Sequence, residues 1–575
     1  MKINPIELQD WEIAKEAEKN ILPIKVIAQK LAIHENEIIQ KDRYVAKIDF
    51  NNIWKRIQTN PIGKYIDVTA ITPTPLGEGK TTTTIGLVEG LAKIGKRSAG
   101  AIRQPSSGPT FNIKGSAAGG GLSQCIPLAP FTLGLTGDID AITNAHNLCM
   151  VALTARMQHE HNYDDDRLQE IGITRLDIDP ERIQIKWAID YCAQSLRNIT
   201  IGKGSKMDGY EMESGFQISV SSELMSILSI SKSLEDMRQR ISKMIVAYSK
   251  SEKEITTADL DVDGAMTAIM VSAFNPNLVQ TIEGNPILVH AGPFANISIG
   301  QNSVIADKIG VRMSEYLVTE SGFGSDIGFE KFWNLKCRYS GLIPDAVVIV
   351  ATVRALKMHG GGPSVKPGKP LDEIYEKEDL KLVKKGFENL AAHIKIVKKS
   401  GSNPVVCINK FHTDSDAEHD LIIKLSQDLG ARCAVSDHWL KGGEGAIELA
   451  KEVVEAAESE NKFKYLYNDK ISLSDRIERI AKEVYNANGI QWSDKALRQI
   501  KDLEKNNDNN DMGICMVKTH LSISHDPIIK GVPSDWNLPI REILIYKGAG
   551  LIVPVAGDIK LLPGTGSNPG FRRID

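Results

Sequence analysis

The most constraining feature of the sequence is a glycine-containing loop between a predicted strand and a predicted helix. The run Tyr65–Ile71 is rich in residues that favour strands, and Thr81–Lys96 carries apolar residues at helical spacing. A second apolar run, Ser98–Ile102, follows at the distance of a returning strand. Such a strand–helix–strand unit has a right-handed crossover and predicts a parallel pair of strands.

Further runs are typical of buried strands: Pro286–His290, Tyr316–Thr319, Ala346–Ala351, Pro404–Ile408 and Cys433–Ser436. Several of them are apolar on both faces, as the strands of parallel sheets are. Most are separated by enough chain for a helix. The sequence therefore predicts an α/β fold with a P-loop NTPase-like, mostly parallel sheet flanked by helices, together with additional α/β domains.

The length of 575 residues implies more than one domain, because single hydrophobic cores stop growing at roughly 250 to 300 residues. We predict that residues 1–140 and 290–370 form a P-loop nucleotide-binding domain. Residues 141–289 are expected to form a second α/β domain. Residues 371–575 are expected to form a C-terminal α/β domain, which includes the hairpin-like segment Ile543–Val555.

The composition is that of an ordinary globular protein, with 42% hydrophobic and 25% charged residues. The net charge of -4 offers no general electrostatic attraction for nucleic acid or anionic lipid. The seven cysteines are scattered and contain no C-x-x-C pair. No stretch approaches the roughly 18 apolar residues of a membrane span. We therefore expect a cytoplasmic protein with neither nucleic-acid nor membrane partners.

The loop after the first predicted strand has the composition of a phosphate-binding loop. Its glycines let backbone N–H groups face a phosphate, and the helix N-terminus adds the positive end of a dipole. The predicted nucleotide-binding residues are Thr74, Pro75, Leu76, Gly77, Glu78, Gly79, Lys80, Thr81 and Thr82. Lys80 would reach the β- and γ-phosphates, and the Thr81 hydroxyl would bind magnesium. Thr74 replaces the first glycine of the strict motif, and the alternative is a glycine-rich turn that only caps the helix.

Arg103 directly follows the predicted strand Ser98–Ile102. In open α/β sheets, ligands bind at this end of the strands. A guanidinium can bind a carboxylate or a phosphate through two parallel hydrogen bonds. On these residues alone, an arginine in a structural ion pair is an equally good interpretation.

Other characteristic segments follow in order along nearly the whole chain. Besides Thr72–Thr82, they include Asn277–Glu283 (NLVQTIE), Gly292–Asn296 (GPFAN), Lys336–Tyr339 (KCRY), Asp345–His359 (DAVVIVATVRALKMH) and Lys441–Gly445 (KGGEG). Together these segments resemble the formate–tetrahydrofolate ligase (formyltetrahydrofolate synthetase) family. The resemblance implies that ATP and formate give formyl phosphate, which N10 of tetrahydrofolate attacks to give 10-formyltetrahydrofolate and phosphate.

The resemblance also implies roles for individual residues. Lys80 would neutralise the transferring phosphate, and Arg103 would hold formate and then formyl phosphate. Phe411 and Trp439, in the C-terminal domain, would sandwich the pterin-like ring, and Asp138 would lie near the folate. Family members use ATP with magnesium, are usually activated by a monovalent cation (potassium or ammonium), and are usually homotetramers.

The chain departs from the family pattern in segments expected around formate and folate. Gln104, a predicted substrate-binding residue, replaces the usual glutamate after the arginine. Leu128–Leu135 replaces a stretch that usually carries two acids, an amide and a histidine, with the change concentrated in Ala129–Gly134. Two alternatives follow from these departures. The chain could be a paralogous ligase that passes an acyl phosphate to a different acceptor, or a catalytically silent nucleotide-binding homologue.

Overall fold

The computed structural model describes residues 3–114, 117–365, 370–557 and 560–573. At its centre lies a 12-stranded sheet. Its strands are β1 (Ile38–Gln40), β2 (Ala46–Ile48), β3 (Lys64–Ala70), β4 (Ser98–Ile102), β5 (Gly119–Gly120), β6 (Ser123–Ile126), β7 (Asn277–Thr281), β8 (Pro286–Val289), β9 (Tyr316–Glu320), β10 (Ala346–Ala351), β11 (Asn403–Asn409) and β12 (Arg432–Ser436). Their order across the sheet is β1-β2-β7-β8-β4-β9-β3-β10-β11-β12, and β6, paired with β5, also pairs with β7.

The strands from β8 across to β12 run parallel, while β1, β2 and β7 form antiparallel pairs at one edge. The predicted α/β class with a mostly parallel sheet is confirmed. The predicted direct pairing of β3 with β4 is wrong, because β9 lies between them and pairs with both. The connecting helix, Lys80–Lys93, has 14 residues and spans about 21 Å, and it returns the chain to the start of a strand two positions away in the sheet.

Alternating side chains of the parallel strands pack into two cores, one on each face of the sheet. Val348 and Val350 of β10 join the core that contains the helix Lys80–Lys93. Val347 and Ile349 of the same strand join the larger core on the other face. Helices of at least seven residues are Asp10–Ala17, Ile24–Lys30, Phe50–Ile57, Lys80–Lys93, Asp138–Asn162, Glu223–Ile230, Leu234–Ile241, Asp263–Met270, Val304–Met313, Val353–His359, Leu380–Lys399, Asp416–Asp428, Ile447–Glu458, Leu473–Glu483 and Asp494–Lys505. Within the described ranges, none of the helices has the length and apolar character that crossing a membrane requires.

Smaller sheets surround the central one. Between β6 and β7 lie the three-stranded sheet Ile178–Ile183, Ile245–Ser249 and Glu254–Thr256 and the pairs Trp187–Ile189 with Phe216–Ile218 and Ile199–Ile201 with Met212–Ser214. After β12 lie the pair Gly489–Trp492 and Asn537–Ile540 and the sheet Gly513–Ile514, Glu542–Tyr546 and Leu551–Val555. Strands from all three predicted domains join the central sheet, since β7 and β8 lie within residues 141–289 and β11 and β12 within 371–575. The domain boundaries stay a prediction.

Candidate active site

The phosphate loop, Thr74–Gly79, connects β3 to the helix Lys80–Lys93. Gly77 and Gly79 have φ angles of 73° and 78°, in the left-handed region that favours glycine. Thr74 has no positive φ, and its carbonyl accepts a hydrogen bond from the Gly77 N–H at 3.1 Å. The loop therefore turns without the first glycine of the strict motif.

Lys80 is the first residue of the helix and is half-buried. Burial lowers the pKa of its ammonium group, and the Glu78 and Glu320 carboxylates act in the opposite direction. Burial raises the pKa of Glu78, whose carboxylate accepts a hydrogen bond from the Thr74 N–H at 2.7 Å. A polyphosphate at this helix N-terminus would supply the negative charge that the partly desolvated ammonium favours.

Glu320 connects the phosphate loop to Arg103. This buried residue ends β9, the strand between β3 and β4, and its Oε2 accepts a hydrogen bond from the Thr81 hydroxyl at 2.7 Å. Its Oε1 lies 3.8 Å from Arg103 Nη2. We refer to Lys80, Thr81, Arg103 and Glu320 as the donor cluster. It places two cations, a hydroxyl and a carboxylate at the ends of three neighbouring parallel strands.

A small cavity adjoins the Arg103 guanidinium. It is lined by Arg103, Ala295, Ser298, Gly300, Gly322, Phe323, Ile327, Gly328 and Lys331. A side chain on Gly322 would come within 2.9 Å of Arg103 Nη1, so glycine leaves room for the guanidinium. The buried Lys331 donates a hydrogen bond to the Ala295 carbonyl, and Arg103 Nε has no hydrogen-bond partner among the described residues. Two cationic side chains thus border a space that suits a small anion.

Gln104 connects the arginine to the segment that departs from the family pattern. Its backbone N–H donates to the Ala291 carbonyl at 2.7 Å, and its side-chain Nε2 donates to the Gly134 carbonyl at 3.3 Å. The side chain is buried, and its Oε1 accepts no hydrogen bond from the described residues. Gln104 and the Ala129–Gly134 segment therefore lie in contact.

Asp138 lies in a buried ion pair at the start of the helix Asp138–Asn162. Its Oδ1 accepts a hydrogen bond from Lys47 Nζ at 2.6 Å, and its Oδ2 accepts one from Asn277 Nδ2 at 2.7 Å. The side chains of Lys47 and Asp138 are 0% and 2% exposed. The Asp138 carboxylate is thus already bound by partners from β2 and β7.

Phe411 and Trp439 follow β11 and β12, at the same edge of the sheet as the phosphate loop. The Arg354 guanidinium carbon lies 4.5 Å from the centroid of the partly exposed Phe411 ring. Trp439 is 36% exposed, and its Cγ would lie 2.8 Å from a Cβ on Gly121, so the ring lies directly against that backbone. Both rings are therefore partly accessible to solvent.

The structure brings the predicted residues Lys80, Thr81 and Arg103 together and places Gln104 beside them, whereas Asp138 is enclosed by its own ion pair. The sequence analysis missed Glu320 and Lys331. Glu320 directly follows the predicted strand Tyr316–Thr319, so an acid at the ligand-binding end of a parallel strand was an available signal. Lys331 carried no comparable signal.

Comparison with known proteins places the chain in a family. The family described as formate–tetrahydrofolate ligase matches residues 8–575. The chain belongs to that family. A formate–tetrahydrofolate ligase of Dehalococcoides mccartyi (strain CBDB1) is 61% identical over 574 residues, covering 100% of this chain and 96% of the relative. Relatives of the same name from Lawsonia intracellularis and Desulforapulum autotrophicum are 59% and 58% identical over 579 residues, covering 100% of this chain and 98% of each relative.

Family membership confirms the resemblance and makes the protein a ligase. Identity of this extent over the full length favours the family's own activity over the two alternatives, a different acceptor or a silent homologue. The roles of individual residues stay a prediction.

Proposed function

We propose that this formate–tetrahydrofolate ligase forms formyl phosphate at the donor cluster and passes the formyl group to tetrahydrofolate held by Phe411 and Trp439. ATP-dependent ligation of formate to tetrahydrofolate is the function of the family to which the chain belongs. The residue-level proposal depends on one observation, the convergence of Lys80, Thr81, Arg103 and Glu320 at the carboxyl ends of β3, β4 and β9.

In the first step, a formate oxygen attacks the γ-phosphorus of ATP and ADP leaves. Residues Thr74–Thr82 cradle the phosphates with backbone N–H groups, and Lys80 neutralises charge on the transferring group. Arg103, with Lys331 across the small cavity, holds the formate carboxylate and then the formyl phosphate. The protein contributes chiefly positioning and charge stabilisation, because little covalent chemistry is required of it.

Thr81 and Glu320 fit a magnesium ion delivered with the nucleotide. A hydroxyl and a carboxylate only 2.7 Å apart are hard oxygen ligands of the kind that magnesium prefers. We propose that the Thr81 hydroxyl binds the ion and that Glu320 accepts hydrogen bonds from its water ligands. The bound ion would neutralise charge on the phosphate oxygens.

In the second step, N10 of tetrahydrofolate attacks the formyl carbon, phosphate leaves, and the nitrogen loses its proton. Phe411 and Trp439 are proposed to stack on the pterin, a contact worth about 0.5 to 1.5 kcal/mol beyond area burial. Gln104 offers its unpartnered Oε1 to a donor on the substrate. Because Lys47 and Asn277 occupy its carboxylate, Asp138 would contribute by holding the Thr136–Asp138 turn beside the folate.

The family resemblance supports further proposals about the whole protein. They are a homotetrameric assembly, activation by potassium or ammonium, and a cytoplasmic location. Sedimentation velocity tests the first, and an activity assay in potassium, ammonium and sodium salts tests the second.

Lys80→Ala tests the assignment of the phosphate loop. We expect about a 100-fold or greater loss of kcat for 10-formyltetrahydrofolate formation, because a preorganised charge on the transferring phosphate is removed. Lys64→Ala, at the opposite end of β3, is the control and should retain activity. Unchanged product formation by Lys80→Ala would refute the assignment. Formate-dependent ADP release without a formylated folate would instead indicate a different acceptor.

A further inference from the structure

Each aromatic residue proposed to hold the folate is preceded by a buried polar side chain that contacts the nucleotide-binding segment. Asn409 lies two residues before Phe411, and His438 lies immediately before Trp439. They are 7% and 0% exposed. Neither contact is between sequence neighbours, so the fold has brought two separate strand ends to one loop and helix.

Asn409 contacts the phosphate loop itself. Its Nδ2 donates a hydrogen bond to the Glu78 carbonyl at 3.0 Å, inside the loop that turns at Gly77 and Gly79. A side chain on Gly79 would lie 2.4 Å from the same Nδ2, so the amide lies flat against the loop backbone. A shift of the loop toward a bound phosphate would therefore move or strain the end of β11.

His438 contacts the helix that begins at Lys80. Its Nε2 is hydrogen-bonded to the Thr83 hydroxyl at 3.3 Å, and its Nδ1 is hydrogen-bonded to the Ser436 hydroxyl at 2.8 Å. Burial lowers the pKa of the imidazole to about 4, so the ring is neutral near pH 7. The ring also lies against Gly86, where a Cβ would come within 2.6 Å of His438 Cβ.

The two contacts are linked to one another. The backbone N–H of Lys410, between Asn409 and Phe411, donates to the Ser436 carbonyl at 3.0 Å. The ends of β11 and β12 are thus hydrogen-bonded to each other and to the nucleotide-binding segment, at Glu78 and at Thr83. A displacement of the phosphate loop would therefore reach both of the residues that precede the rings.

We propose that Asn409 and His438 are positioning residues that couple occupancy of the phosphate loop to folate binding at Phe411 and Trp439. This inference rests on the proposed function, which assigns the folate to these two rings. Nucleotide bound at the loop would hold the ends of β11 and β12, and with them the two rings, in the arrangement that binds the pterin. By thermodynamic linkage, bound folate would tighten nucleotide binding by the same factor.

The coupling is measured as a ratio of dissociation constants. Isothermal titration calorimetry gives the Kd of tetrahydrofolate without nucleotide and with saturating magnesium ADP. For the wild type we expect about fivefold or greater tightening by the nucleotide. Thr83→Val, which removes the hydroxyl at His438, and Asn409→Ala should each bring the ratio toward one, and Thr83→Ser should restore it.

Matched controls separate coupling from general damage. Thr84→Val removes a neighbouring buried hydroxyl whose hydrogen bond, within the described part of the chain, goes to the Lys80 carbonyl of its own helix. Asn403→Ala removes an amide at the opposite end of β11, bonded to Ala456 and Glu460. Both controls should keep the wild-type ratio.

A wild-type ratio near one, or an unchanged ratio in both Thr83→Val and Asn409→Ala, would overturn the proposal. If the two residues had only a structural role, the variants would bind tetrahydrofolate more weakly to the same extent with and without nucleotide. The ratio would then be unchanged, and the proposal would be overturned. Failure of the proposed function looks different: Phe411→Ala and Trp439→Ala would then bind tetrahydrofolate as tightly as the wild type.

Discussion

At the scale of single residues, the donor cluster is organised around one carboxylate. Glu320 accepts a hydrogen bond from the Thr81 hydroxyl, lies 3.8 Å from the Arg103 guanidinium, and opposes the lowering of the Lys80 pKa that burial causes. Its charge therefore acts on three neighbours at once. Replacing the carboxylate by an amide of the same shape removes the charge and keeps the volume of the side chain.

Glu320→Gln should weaken the magnesium dependence of nucleotide binding. We expect the magnesium concentration for half-maximal ADP binding to rise about 10- to 100-fold, since residues that orient metal ligands have effects of this size. Calorimetric titration of ADP at a series of magnesium concentrations measures it. Glu315→Gln, at the opposite end of β9, is the control. An unaltered magnesium dependence in Glu320→Gln would exclude the proposed role.

Glu330→Gln should change how stability depends on pH. Burial raises the pKa of Glu330 to about 7, so the folded state keeps this proton to a higher pH than the unfolded state does. The free energy of unfolding therefore falls by about 3 kcal/mol as pH rises from about 4.5 to about 7. The thermal midpoint of the variant, relative to the wild type, should be higher at about pH 8 than at about pH 5. An equal difference at both pH values in scanning calorimetry would contradict this, with the exposed Glu460→Gln as control.

At the scale of elements, the helix Lys80–Lys93 joins nucleotide binding to the segment that follows β12. Besides the Gly86 contact, a Cβ on Gly90 would lie 2.8 Å from both Cβ and the carbonyl oxygen of Ala446. Gly443 lies against Glu89, and its N–H donates to the Glu283 carboxylate at 2.9 Å. Glycines thus allow the backbone of the Gly442–Ala446 turn to reach the helix surface.

Gly90→Ala should displace the Gly442–Ala446 turn and with it Trp439. We expect a several-fold rise in KM for tetrahydrofolate with a smaller change for ATP, and a stability cost of about 1 to 3 kcal/mol from overpacking. Steady-state kinetics and thermal unfolding measure the two effects. Gly310→Ala is a matched control, because its Cβ would meet Leu317 at 2.5 Å in a helix away from the aromatic residues. Equal effects on the folate KM in both variants would contradict the expectation.

At the scale of the whole molecule, a buried ion pair fastens the C-terminal region to the central sheet region. Lys518 Nζ donates to Asp326 Oδ2 at 2.7 Å, and the two side chains are 0% and 1% exposed. The ammonium also donates to the Thr519 and Ser522 carbonyls. Removing one partner leaves a buried charge without compensation, which is more costly than losing a surface pair.

Lys518→Met should lower the stability of the whole protein by about 3 to 5 kcal/mol. We expect a lower thermal midpoint in a single transition, because the pair joins segments nearly 200 positions apart, as 518 and 326 show. Lys505→Met, which breaks an exposed pair with Asp502, should change the midpoint little. Indistinguishable midpoints for the two variants would refute a stabilising role for the buried pair.

Local pattern sufficed for the loop and for the parallel strands β3, β4 and β8 to β12, but not for β1, β2, β5, β6 and β7. Long-range contact explains much of what it missed. Ala346–Ala351 and Ser98–Ile102 were predictable to the residue, because both are apolar runs buried on both faces. The insertion of β9 between β3 and β4 could not be predicted, because the periodicity of a sequence does not indicate which strands pair. Asn409 and His438 carry no local signature either, because their partners lie 331 and 355 positions away.

The place of β9 in the sheet has a consequence for synthesis of the protein. The strand that supplies Glu320 sits between the strands that supply the phosphate loop and Arg103, yet it is made more than 200 residues after both. A growing chain on the ribosome that ends before Tyr316 has the phosphate loop and Arg103 but a gap in the middle of its sheet and no Glu320. The complete donor cluster can therefore assemble only after more than half of the residues have been joined.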